Sequence, residues 1–154
     1  MSLSHFIKVL RWFLVPLCAV AGYIAAFFVA IPVNQAIHSY LWSHGHAMPG
    51  KEFLTFVEPY DGAIAAFLVV VCGTFFAPAR RVYTALALLV LGGIVAWQMV
   101  GESYSSVKSA AEFHEAPIRL WWPIIGTCLG GFTGFLAIYL TTRARSPRFL
   151  SVHP

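Results

Sequence analysis

Charge is scarce in this chain: 10% of its 154 residues are charged, against 59% that are hydrophobic. A soluble domain carries about 25% charged and roughly 45–50% apolar residues. A chain this short cannot bury that much apolar surface in one core, so most of it must face lipid or neighbouring helices. Acids are scarcer still, six in all, and none lies in a long apolar run. The net charge of +4 is segregated along the chain rather than gathered into a nucleic-acid-binding surface, so no nucleic-acid partner is expected. Paired cysteines are lacking too. Cys18, Cys72 and Cys128 each fall within an apolar stretch, with no CxxC spacing among them, which reads as small apolar filling rather than a redox pair or disulfide.

What is abundant is long apolar sequence. Four stretches free of Asp, Glu, Lys and Arg can cross roughly 30 Å of hydrocarbon at about 1.5 Å per residue. They cover residues 12–31, 62–79, 82–101 and 120–142, the first halted by Pro32 and the second closed by Pro78. Lys8 and Arg11 precede a run too long for a signal-peptide core, so the first stretch reads as a membrane helix. The expectation is an all-α membrane protein, residues 1–154 forming one domain of four transmembrane helices.

Charge placement orients the spans. Lys8, Arg11, Arg80, Arg81, Arg143, Arg145 and Arg148 share one side, while all six acids join Lys51, Lys108 and Arg119 on the other. The positive-inside rule then puts both termini in the cytoplasm, in a bacterial inner membrane. Aromatic residues gather at the boundaries, Trp12, Tyr83 and Tyr139 inside and Tyr40, Trp42, Tyr60, Trp97, Tyr104, Trp121 and Trp122 outside. In the first outer connection, Ile37, Tyr40 and Leu41, then Phe53, Phe56 and Val57, follow helical spacing and predict short helices lying in the interface. Tyr104, Val107, Ala111 and His114 repeat likewise, and Lys108 and Glu112 form an i,i+4 pair, so helix 3 is expected to continue past the membrane surface.

Helices in lipid associate by close packing of small residues. Gly126, Gly130 and Gly134 at four-residue spacing make a doubled GxxxG pattern on helix 4. Helix 1 offers Cys18, Gly22, Ala26 and Ala30, helix 2 Gly73 and Ala77, and helix 3 Gly92 and Ala96. These stripes fit packing within one bundle, or between helix 4 and another copy or another membrane protein.

The apolar spans exclude several chemistries. Proton-coupled exporters of the small multidrug-resistance type need a carboxylate at membrane depth, disulfide oxidases and vitamin K epoxide reductases need paired cysteines, and intramembrane hydrolases need His or Asp. None of these lies in the charge-free stretches. Thr74 and Thr127 are expected to return their hydroxyls to the helix backbone, Gln98 to bond a neighbouring helix, and Pro16 to sit in the first turn of helix 1.

One polar constellation stands out. His44-Gly45-His46, with Met48 close behind, shares the outer side with His38, His114 and the acids. Imidazole suits zinc, copper or nickel, and Met favours copper(I). His44, His46, His114 and Glu115 are the candidate metal ligands. His38 is expected to point toward Glu58 or Asp61. Asp61 opens helix 2, where the macrodipole favours an acid, and faces Glu102 and Gln98 across the outer end of the helix 2–3 hairpin. With no nucleophile–base pair at recognisable spacing, the chain reads as non-catalytic: an accessory or oligomeric inner-membrane component whose contacts are lipid and other membrane helices. The alternative is binding or passage of a transition metal through the outer His/Glu cluster.

Overall fold

A computed structural model describes residues 3–46, 48, 50–77, 80–106 and 116–145. Among these residues every regular element is helical, and there is no strand. The elements are α1 (Leu3–Ser43), α2 (Gly50–Phe75), α3 (Arg81–Ser106) and α4 (Ala116–Arg145). Each contains a segment long and apolar enough to cross a membrane: Phe6–Ser43, Phe56–Phe75, Arg81–Gln98 and Trp121–Ala144. The all-helical class and the four potential spans match the sequence expectation.

The boundaries depart from it at the outer ends. Pro32 does not stop α1, which runs for 41 residues with both Pro16 and Pro32 inside. Each proline deletes one backbone donor, but abandoning the helix in apolar surroundings would leave many backbone groups unpaired. Pro16, expected in the first turn, is therefore interior. Likewise α2 begins at Gly50 rather than Gly62 and passes through Pro59. The segments expected as separate interfacial helices are the ends of α1 and α2. The α2 extension is not legible as a charge-free run because Lys51, Glu52, Glu58 and Asp61 interrupt it. Asp61 is thus well inside α2, which overturns its capping role. Glu58 and Asp61 also fall within the Phe56–Phe75 segment that is long and apolar enough to cross a membrane, although both lie before the charge-free stretch 62–79.

Helix α1 closes on a Schellman cap. The His46 amide donates to the Leu41 carbonyl at 2.9 Å and the Gly45 amide to that of Trp42 at 3.1 Å, with Gly45 at φ 76°. Glycine takes this left-handed conformation without the steric cost a side chain brings. The helix 2–3 turn starts with the Ala77 amide donating to Thr74 at 3.2 Å, and Arg80 supplies the carbonyl for the Thr84 amide at 3.1 Å.

Packing centres on α2, which contacts the other three helices; α3 and α4 also touch, whereas among the described residues the α1 backbone approaches α2 alone. Val15, Ala19, Gly22, Ala26 and Ala30 form the buried seam of α1. A Cβ on Gly22 would lie 2.7 Å from the Leu68 carbonyl oxygen, so the two backbones are nearly in contact. On α4, a Cβ at Gly126 would strike the Pro59 backbone, one at Gly130 the Ala63 backbone, and one at Gly134 would come within 3.2 Å of the Phe67 carbonyl oxygen. The GxxxG stripe is therefore used inside the chain, against α2. Residue order in these pairs makes α1 antiparallel and α4 parallel to α2. Lys8, Arg11, Arg80, Arg81 and Arg143, all exposed, mark one end of the bundle; Asn34, Asp61 and the Trp97–Trp121 ring pair, 5.5 Å apart, mark the other.

Candidate functional site

The strongest polar link between helices joins the single Asn of the chain to its single Asp. Asn34 Nδ2 donates to Asp61 Oδ1 at 3.0 Å and Oδ2 at 3.1 Å, both part-buried. Continuation of α1 past Pro32 puts Asn34 on the α2 side, and the early start of α2 puts Asp61 opposite it. The carboxylate retains further acceptor capacity, because an ionised carboxyl offers about four lone-pair sites. Asn34 Oδ1 is buried without a hydrogen-bond partner among the described residues.

Asp61 also lines a cavity of about 770 Å³ that opens between α1 and α3. It lies where α1 and α3, whose backbones do not approach closely among the described residues, flank the same face of α2. Small residues widen it: Ala26 and Ala30 from α1, Ala65 from α2, and Gly92, Gly93 and Ala96 from α3. A Cβ built on Gly92 or Gly93 meets nothing within 4 Å, so these glycines face open space rather than a helix. Glu58 and Asp61 supply carboxylates to the lining, Thr127 a hydroxyl and Cys128 a thiol. The volume lies within the roughly 300–1,000 Å³ of ligand pockets, which are mostly apolar with a few placed polar groups.

The other predicted residues are distributed differently. His44 ends α1 with its ring Nδ1 2.8 Å from the Tyr40 carbonyl oxygen and 3.1 Å from Ser43 Oγ, and packs on the Tyr40 ring at 4.2 Å. His46 belongs to the cap described above. His114 and Glu115 lie outside the described residues, as does the side chain of Glu102. Among the described residues no three His, Cys, Asp or Glu side chains are grouped to hold a metal. His38 meets Phe53 edge-on at 4.9 Å and stacks on Trp42. Gln98 is exposed and, among the described residues, makes no hydrogen bond, so the expected interhelical contact is not formed there. Thr74 behaves as expected, donating to the Val70 carbonyl at 2.7 Å. All three cysteines are free.

Asn34 was invisible to the sequence reading because Pro32 seemed to end the helix before it. The signal is present: a lone Asn three residues beyond the 12–31 stretch, followed by Ile37 and Leu41 in helical phase. Comparison with known protein families, known proteins and solved structures finds no match for this chain.

Proposed function

We propose that the protein is a multi-pass component of the inner membrane, with both termini in the cytoplasm, that works without catalysis by holding an apolar guest in the cleft between α1 and α3. The carrying observation is the cleft itself, about 770 Å³ and lined mainly by Ala, Gly and Val side chains. The positive-inside pattern supports the orientation, since basic residues cluster at the end opposite the acids. Burial of Gly126, Gly130 and Gly134 against α2 favours a self-contained bundle over an oligomer built through α4.

The test uses the protein in zwitterionic nanodiscs and a fluorescent neutral alkyl probe. Wild-type protein is expected to retain probe above empty nanodiscs. Gly92→Phe, which puts a ring where a Cβ meets no atom, is expected to weaken retention about tenfold or more. No retention by wild type, or undiminished retention by Gly92→Phe, would overturn the reading.

A further inference from the structure

The cleft is chemically polarised along its length. Its walls toward the inner end, Ala19, Val70 and Leu88 among them, are apolar, whereas at the outer end Glu58 and Asp61 both contribute. Gly62 fixes the depth of those acids: its Cβ would lie 2.8 Å from Thr127 Oγ1, a rise of roughly 9 Å along α4 from Trp121 at about 1.5 Å per residue. Tryptophans of this kind sit at headgroup level. Asp61 therefore lies near the boundary between headgroups and hydrocarbon, with the exposed Glu58 one turn nearer the outer surface, and a carboxylate at that boundary gains from a cationic partner. Among the described residues the partner of Asp61 is Asn34, a neutral donor, while the side chains of Lys51, Lys108 and Arg119 lie outside them. The described basic side chains are at the opposite end of the bundle.

Resting on the reading above, we infer that the guest is a single-chain amphiphile with a protonated amino head, its alkyl tail along the apolar length of the cleft and its ammonium between Asp61 and Glu58. An ammonium carries three donors and one positive charge, which suits two carboxylates with free lone pairs. A phosphate-bearing head would bring a second anion against them and is disfavoured. Helix α1, held only by α2, leaves the cleft open sideways, so the guest enters from the bilayer.

Four probes of matched interest separate the outcomes in zwitterionic nanodiscs: dodecylamine, dodecanol, dodecyl phosphate and lysophosphatidylethanolamine. Dodecylamine is expected to bind about tenfold more tightly than dodecanol, and dodecyl phosphate least. Asp61→Asn combined with Glu58→Gln is expected to bring dodecylamine binding down to that of dodecanol on the same variant, with an unchanged helical circular-dichroism spectrum showing that it is folded. Equal binding of dodecylamine and dodecanol to wild type would overturn the inference and leave the apolar-guest reading standing. Failure of every probe would overturn both. Lysophosphatidylethanolamine held as tightly as dodecylamine would overturn the amine assignment in favour of a phospholipid.

Discussion

Asn34 and Asp61 show how one side-chain pair ties two helices where hydrophobic driving force is weak. In lipid both helices are solvated by tails as apolar as their own side chains, so a donor–acceptor pair has unusual weight. The bond is only part-buried, so roughly 1–2 kcal/mol is the expected cost of Asn34→Leu. An unfolding titration in mixed micelles checks it; an unchanged midpoint would remove the pair from the stability argument. Thr74 makes the opposite case. It is fully buried, yet its hydroxyl only revisits the Val70 carbonyl, which the helix already satisfies. Thr74→Val should therefore move stability by less than about 0.5 kcal/mol in the same titration.

At the level of elements, glycines of one helix type have opposite roles according to what faces them. Gly130 meets the Ala63 backbone, whereas Gly92 meets nothing within 4 Å. Backbone cannot yield as a flexible side chain can, so Gly130→Leu is expected to cost about 1–3 kcal/mol or more. Gly92→Leu should leave the unfolding midpoint within about 0.5 kcal/mol of wild type, since the added atoms enter open space. Similar losses for both variants would contradict the described helix arrangement. Sequence alone ranked these glycines only by spacing, so the packing stripe on α4 was legible while the cleft on α3 was not. A small residue looks the same whether it admits a neighbouring helix or leaves a gap. The outer halves of α1 and α2 were hidden for a different reason. Charge-free length finds the hydrocarbon core but not a helix that continues through Asp61 and Glu58, and a proline in an apolar run resembles a stop until the flanking hydrogen bonds are counted. The His44-Gly45-His46 segment also forms a helix cap, with Gly45 at φ 76°, which residue spacing alone does not reveal.

For the whole molecule, four helices alternating in direction place the start of α1 and the end of α4 at the basic end of the bundle. A reporter fused after Pro154 is expected to read cytoplasmic; a periplasmic signal would invert the proposed orientation and put the acidic end of the cleft inside. The unequal packing of the bundle matters more for function. Three helices form a mutually supported group around α2, and α1 adds a wall fixed on one side only, which is what leaves a lateral opening.

Cys128 offers a native reporter of that opening, since it is exposed and lines the cleft, while Cys18 and Cys72 do not line it. The most direct measurement is the rate at which a lipid-soluble maleimide labels each thiol in nanodiscs, with and without dodecylamine or the neutral alkyl probe. Occupancy of the cleft is expected to slow labelling of Cys128 several-fold and leave Cys18 and Cys72 unchanged. Equal rates at Cys128 with and without either probe would contradict a guest between α1 and α3.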